Sequence, residues 1–241
     1  MTDVRIVDLP DVAIACRESG PPDGPPLVLL HALGERASDW DGVLPALAPG
    51  HRVYALDLRG HGDSGRAAVY SLETMRDDVL AVFDALGLDR VDLVGHSMGG
   101  AVAYLLAQAR PERIGRLVLE EIPPPFPRPA SAVPDEPQEP VDFDWAVVRP
   151  LKAQLDAPDP AWREGLRRIT APTLVVAGGP TSHVPQERIA DLAALIPDCR
   201  TVTIDAGHLV HAARPAEYVA AVAPFLALPG RPQGATARVR S

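Results

Sequence analysis

Ser97 lies at the centre of Gly95-His96-Ser97-Met98-Gly99, between an apolar run and an alanine-rich stretch. A serine at this spacing is typical of a nucleophile carried on a sharp turn from a strand to a helix, which needs small residues two positions before and after it. The turn thrusts the hydroxyl out above the sheet. The N–H of Met98 begins the helix, where the helix dipole favours a developing oxyanion. The pattern predicts nucleophilic catalysis by Ser97, with Met98 in the oxyanion hole.

The elements around this turn alternate between strand and helix patterns. Short apolar runs predict strands at 12–18, 26–33, 52–58, 90–96, 116–123, 172–178 and 200–208. Helical patterns lie at 71–88, 97–114, 186–196 and 216–228. The alternation predicts an α/β fold with a mostly parallel sheet and helices on both faces. Functional residues of such sheets lie beyond the carboxyl ends of the strands.

Together with the Ser97 turn, three further segments resemble the α/β-hydrolase family: LLHALGERASDW (29–40), DLRGHGDS (57–64) and AGHLVHAARP (206–215). The resemblance spans roughly residues 10–228. It implies that the N–H of Leu33 is the second oxyanion donor, although Ala32 stands where most relatives have glycine. It also implies that His208 is the general base and that His211 has a supporting or substrate-facing role. The loop at 57–64 is mostly structural in the family.

The third catalytic group departs from the family pattern. The family usually places an aspartate in the turn after the strand at 172–178, but Thr181 stands there, and a hydroxyl cannot carry the compensating negative charge. Haloalkane dehalogenases, a branch of the same family, place a glutamate at the end of the preceding strand, in a segment that resembles LEEIP. That resemblance predicts Glu120 as the acid. Glu121 is the alternative, because side chains alternate along a strand, and a dyad without an acid is the third possibility.

Residues 123–160 are too rich in proline to continue a sheet, and we expect a small lid there with one short helix at 143–155. A loose surface excursion is the alternative. The expected organisation is a single domain at 1–228 with this insertion, followed by a disordered tail at 229–241. The candidate substrate-binding residues are His31, Phe143, Trp145 and Leu209, of which the lid aromatics could instead anchor the lid. Phe126, Asp142 and Asp144 are further candidate contacts.

These residues favour a serine hydrolase that cleaves a carboxylic ester, lactone or thioester through an acyl-enzyme. A dehalogenase or epoxide hydrolase is disfavoured, because those branches have an aspartate at the position of Ser97. Four alternatives stay open: hydrolysis of a carbon–carbon bond, perhydrolase activity, a lyase or cyclase that uses the same Ser97 and His208, and a ligand-binding homologue without catalysis. The expected partner is a small-molecule acyl substrate.

Composition narrows the remaining classes. The net charge of −9 argues against nucleic acid or an anionic membrane as a partner. There is no signal-peptide pattern, and the apolar runs are too short to span a bilayer, so a cytoplasmic location is expected. Cys16 and Cys199 are predicted to be buried thiols. No phosphate loop, dinucleotide fingerprint or metal-ligand spacing is present, so neither a cofactor nor a metal is predicted, and the sequence does not indicate the oligomeric state.

Overall fold

An eight-stranded sheet forms the centre of the computed structural model, which describes residues 3–130 and 132–227. The strands are β1 (Asp3–Asp8), β2 (Ala13–Ser19), β3 (Pro26–Leu30), β4 (Arg52–Leu56), β5 (Val91–His96), β6 (Ile114–Glu120), β7 (Thr173–Ala177) and β8 (Cys199–Thr203). Their order is β1-β2-β4-β3-β5-β6-β7-β8. β2 runs antiparallel to β1 and β4, and the other neighbours are parallel. The predicted mostly parallel sheet is confirmed.

Helices cover both faces of this sheet, as predicted. They are α1 (Leu44–Leu47), α2 (Leu72–Ala85), α3 (Met98–Ala109), α4 (Val148–Asp156), α5 (Pro160–Gly165), α6 (Gln186–Leu195), α7 (Val210–Ala213) and α8 (Pro215–Leu226). One apolar core joins the sheet to α2, α3 and α6, and a second joins it to α1, α7 and α8 around the buried Trp40. None of the helices within 3–130 and 132–227 is long and apolar enough to cross a membrane.

The helix signals in the sequence have clear physical causes. The Ser71 hydroxyl accepts a hydrogen bond from the Thr74 N–H at 3.0 Å, and the Thr74 hydroxyl accepts one from the Ser71 N–H at 3.0 Å. This reciprocal cap satisfies two donors that the first turn of α2 would otherwise leave unpaired. The helix ends before Gly87, whose φ of 68° favours glycine.

Strand β1 lies outside the predicted strands. Its Val4 and Ile6 are 54% and 49% exposed, so this edge strand lacks the buried apolar face that identified the others. The predicted tail at 229–241 lies outside the described residues. Within the predicted lid at 123–160, α4 corresponds to the short helix expected there, and α5 begins at the lid's last residue.

Candidate active site

Ser97 occupies the strained turn between β5 and α3. Its φ is 50°, a left-handed conformation that a residue with a side chain rarely adopts. A Cβ at Gly95 would lie 2.4 Å from the Gly99 carbonyl oxygen, and one at Gly99 would lie 2.4 Å from the carbonyl oxygen of Leu30. Larger residues at these two positions would therefore force the backbone apart. Such a conformation costs on the order of 1–3 kcal/mol and is kept where the surrounding structure fixes it, commonly at functional sites.

Ser97 and His208 line the same cavity, which has a volume of about 260 Å³. Ser97 directly follows β5, and His208 lies in the loop after β8. Both are at the edge of the sheet where the family pattern predicted them. Most of the remaining wall is apolar and comes from the start of α3, the segment after β6 and the turn before α6. These apolar residues are Leu33, Met98, Tyr104, Ile122, Pro123, Pro124, Phe126, Leu155, Val184 and Pro185.

Glu121, rather than Glu120, contacts His208. The Nδ1 atom of His208 lies 3.4 Å from Oε2 of Glu121. The Glu121 carboxylate also accepts hydrogen bonds from the Gly178 N–H and the Ser182 hydroxyl, and one from Gln186 Nε2 at 3.3 Å. The preference for Glu120 as the partner of His208 therefore needs correction, because the second of the two glutamates holds that position.

The backbone at the end of β6 explains why the two glutamates diverge. Glu120 is the last residue of the strand and shares a sheet face with Val118, whose core contains α7 and α8. Glu121 leaves the strand with a φ of 50°, and its N–H donates to the carbonyl oxygen of Val176 at 3.0 Å. Its side chain consequently reaches the turn after β7, which is the turn that lacks the usual aspartate.

The hydrogen bonds to Glu121 favour its ionised form. The side chain is fully buried, which by itself would raise the pKa of this carboxyl group. Hydrogen bonds from His208, Ser182, Gly178 and Gln186 outweigh burial and lower the pKa below its usual range. Glu121 therefore presents a carboxylate that can orient His208 and stabilise a positive charge on its ring.

Glu120 forms a second pair with His211. Its carboxylate accepts hydrogen bonds from the N–H and from Nδ1 of His211, each at 2.9 Å. The ring of His211 is stacked on Trp40, with 4.1 Å between centroids. Burial would raise the pKa of Glu120, but the nearby His96 and the bonds from His211 outweigh burial and lower it. The supporting role expected for His211 fits this position in the core.

Both predicted oxyanion donors border the cavity. Met98 is the first residue of α3, where backbone N–H groups have no partner within the helix. Leu33 lies in the loop after β3 and reaches the same cavity. Ala32 replaces the usual glycine without strain, because Ser97 and Glu121 are the only residues other than glycine with positive φ in the described ranges.

The four residues predicted to bind substrate do not line the Ser97 cavity. His31 is fully buried, and its Nε2 accepts a hydrogen bond from the Leu58 N–H at 2.9 Å. Burial, with the nearby His61, lowers the pKa of His31 to about 3, so it is a neutral structural group. Phe143 stacks on His61 with 5.4 Å between centroids, and Trp145 packs 5.5 Å from Phe143. The lid aromatics therefore anchor the lid, which was the alternative interpretation.

Leu209 also does not belong to the cavity wall and is 43% exposed. The side chains that do line it include Phe126, which was among the further lid candidates. His183 was missed by sequence reasoning, although its ring centroid lies 4.3 Å from that of His208. The signal available for it was the Thr181-Ser182-His183 turn, which sequence reasoning considered only for its missing acid.

Comparisons with known proteins agree with this fold. Residues 25–146, just over half of the chain, match the family model described as the alpha/beta hydrolase fold. The chain is 28% identical to the mouse sn-1-specific diacylglycerol lipase ABHD11, in an alignment that covers 84% of this chain and 81% of that protein. A solved hydrolase from Pseudomonas aeruginosa PA01 is 29% identical, with a TM-score of 0.75 and coverage of 93% and 98%.

A third similarity covers only part of its relative. The chain is 44% identical over 103 residues to the dihydrolipoyllysine-residue acetyltransferase component of the acetoin cleaving system of Pseudomonas putida. That alignment covers 42% of this chain and 28% of the relative. The match to the family model and the shared architecture agree, and the chain belongs to the α/β-hydrolase fold family.

Proposed function

We propose that this protein is a serine hydrolase that cleaves a carboxylic ester, lactone or thioester through an acyl-enzyme, with Ser97 as nucleophile, His208 as base and Glu121 as acid. The observation that carries the proposal is the position of His208, which contacts the buried Glu121 carboxylate on one side and borders the Ser97 cavity on the other. The name of the mouse relative, a lipase, supports ester hydrolysis.

The mechanism follows from the two sides of the His208 ring. Nδ1 donates its proton toward Glu121, so Nε2 is the nitrogen that accepts the proton of the Ser97 hydroxyl. As the serine oxygen attacks the carbonyl carbon, the amides of Leu33 and Met98 hold the oxyanion. His208 then returns its proton to the leaving group. Water, deprotonated by His208, attacks the acyl-enzyme and releases the acid.

The cavity favours a small acyl group. Its volume of about 260 Å³ is slightly below the range of about 300–1,000 Å³ that is typical of small-molecule sites. The wall is mainly apolar, and its cation, Arg128, is paired with Asp156 at 2.7 Å. A short-chain ester or thioester, or a small lactone, fits this volume and polarity.

The direct experiment uses p-nitrophenyl butyrate, whose acyl group matches the cavity. We expect turnover by the wild type, and a butyryl mass shift on the peptide that contains Ser97 after rapid acid quenching. Ser97→Ala should show neither, while its circular dichroism stays unchanged. Ester turnover by the wild type that persists in Ser97→Ala would contradict the proposal.

The same labelling experiment separates the other candidate activities. A lyase or cyclase that uses Ser97 and His208 only for proton transfer leaves Ser97 unlabelled by its substrate. A ligand-binding homologue binds without consuming the ligand and tolerates Ser97→Ala. Formation and decay of the butyryl-enzyme at the rate of turnover is the outcome expected of a hydrolase.

A further inference from the structure

A second cluster of chemically active side chains lies behind His208, in the buried interior. It consists of Glu35 from the loop after β3, His96 at the end of β5 and His211 in α7. One ligand atom from each residue lies within 4.8 Å of the others. His96 and His211 are 0% and 1% exposed, and the Glu35 side chain is 20% exposed. None of the three lines the Ser97 cavity.

Hydrogen bonds determine which nitrogen of each neutral ring can act as a metal ligand. Nε2 of His96 donates to the carbonyl oxygen of His208 at 2.8 Å, and Nδ1 of His211 donates to the Glu120 carboxylate at 2.9 Å. A carbonyl and a carboxylate can only accept, so in each neutral ring the other nitrogen carries a lone pair. These are Nδ1 of His96 and Nε2 of His211.

With both rings neutral, these two nitrogens and the Glu35 carboxylate are all electron-pair donors. Nδ1 of His96 lies 3.2 Å from Oε2 of Glu35, a distance at which two acceptors repel unless a positive centre lies between them. Nε2 of His211 is buried and has no hydrogen-bond partner among the described residues. Burying a polar atom without a partner is unfavourable, and a bound ion would remove that penalty.

The negative charges around the cluster also favour a bound cation. The carboxylates of Glu35, Glu120 and Glu121 lie in this part of the interior. Across the described ranges, the ion pairs of all three are with histidines, and none is with lysine or arginine. Burying several carboxylates without a fixed positive charge is costly. A divalent ion between Glu35 and the two imidazoles supplies that charge.

We propose that Glu35, His96 and His211 bind a Zn²⁺ ion. Two imidazole nitrogens and one carboxylate oxygen form a ligand set that zinc uses with a fourth, open position. With metal–ligand bonds of about 2.0–2.2 Å, tetrahedral ligand atoms lie roughly 3.3–3.5 Å apart. Oε2 of Glu35 and Nδ1 of His96 are already 3.2 Å apart, and separations of at most 4.8 Å have to close by little more than about 1 Å.

The outer contacts of the cluster are those of a built zinc site. A ligating histidine commonly donates its other N–H to a carboxylate or a backbone carbonyl, as His211 and His96 do here. Glu35 also accepts a hydrogen bond from the Ala32 N–H at 3.3 Å. The ion would therefore hold the loop that carries the Leu33 amide against the backbone of His208. This effect on the loop does not depend on the reaction at Ser97.

The test is direct metal binding by the full chain. After treatment with a chelator and its removal, the wild type is titrated with Zn²⁺ by calorimetry, and Co²⁺ is added separately to record visible absorption. We expect one Zn²⁺ per chain and the intense bands of tetrahedral Co²⁺. Glu120→Gln, which alters the outer contact of His211, should weaken Zn²⁺ binding about 10–100-fold. Glu35→Gln and His211→Gln remove ligands and should weaken binding further.

His183→Gln is the matched control, because His183 is an exposed histidine outside the cluster, and its Zn²⁺ affinity should equal that of the wild type. If His211→Gln fails to fold, the less buried Glu35→Gln still decides. One-to-one binding that survives Glu35→Gln would place the ion elsewhere and overturn the proposal. Absence of binding by the wild type would also overturn it. A proton on His96 would then be the occupant, since Glu120 and Glu35 outweigh burial and raise the pKa of His96.

Discussion

Two glutamate–histidine pairs lie side by side in this protein, and they differ in what surrounds them. Glu120 and Glu121 are consecutive, and their partners His211 and His208 are three positions apart. The Glu120–His211 pair is the shorter, at 2.9 Å, and its imidazole is 1% exposed. The Glu121–His208 pair is 3.4 Å apart, and the His208 side chain is 20% exposed.

In the proposed mechanism, access to the nucleophile, rather than the tightness of the pair, determines which histidine can act as a base. A general base must reach the proton that it removes and later exchange protons with water. The ring of His211 is covered by Trp40, so it has neither route. His208 borders the Ser97 cavity, and only its Nδ1 side is occupied by the acid.

The largest expected effect is the difference in kcat between a variant that lacks His208 and one that lacks His211. His208→Ala is expected to lower kcat by about 10⁵–10⁶, because the base and the serine act as a unit. His211→Gln should keep kcat per folded molecule within about tenfold of the wild type, since its ring does not reach the cavity. Steady-state turnover of p-nitrophenyl butyrate distinguishes them. Equal losses in both variants would remove the distinction between the two pairs.

Breaking the inner pair should affect stability. Glu120→Gln replaces a buried carboxylate that accepts two hydrogen bonds from His211, and we expect the free energy of unfolding to fall by about 3 kcal/mol. Urea unfolding followed by circular dichroism measures the change. His183→Gln, at an exposed site, is the control and should stay within about 0.5 kcal/mol. A Glu120→Gln variant as stable as the wild type would show that the inner pair is dispensable.

Two lid phenylalanines sharpen the comparison between cavity and scaffold. Phe126→Ala should raise KM about tenfold, because Phe126 lines the cavity and its half-buried ring would lose its apolar contact with the acyl group. Phe143→Ala should leave KM unchanged and lower the free energy of unfolding by about 1 kcal/mol, because Phe143 stacks on His61. A rise in KM for Phe143→Ala would return this residue to the substrate site.

The smallest effect concerns acid stability. The lowered pKa of Glu121 means that the unfolded chain takes up the proton first as pH falls, so this group stabilises the fold above its unfolded pKa of about 4.3. That contribution is lost as pH falls through the lower folded pKa. The wild type should therefore lose its stability advantage over Glu121→Gln between about pH 5 and pH 3. Urea titrations at several pH values measure the difference, which a Glu121 protonated in the fold would keep constant.

Much of the fold follows from patterns that arise where packing is dense. The central strands are covered on both faces, so their short apolar runs are visible in the sequence, as is the Ser71 cap of α2. The Ser97 turn is equally easy to predict from the sequence, because a side chain at Gly95 or Gly99 would collide with backbone atoms. Strand β1 is less densely packed, and because its Val4 and Ile6 are exposed it has no buried apolar face from which a strand could be predicted.

The site was harder to predict wherever two neighbouring residues competed. Alternation along β6 indicates that Glu120 and Glu121 face opposite ways, but it does not say which face meets His208. That depends on the positive φ of Glu121 and on where α7 packs, which are properties of the assembled fold. The cluster of Glu35, His96 and His211 was invisible for a similar reason, since its members come from three separate elements.

The most direct test of the account is the ratio of kcat for Glu121→Gln to kcat for Glu120→Gln, measured with p-nitrophenyl butyrate on folded protein. Loss of the acid in a related triad costs about 10⁴-fold, so we predict that Glu121→Gln is slower than Glu120→Gln by about 10³–10⁴. A ratio near one would mean that neither glutamate orients His208. If Glu121→Gln were instead faster than Glu120→Gln, the acid would be Glu120, and this result would contradict the account.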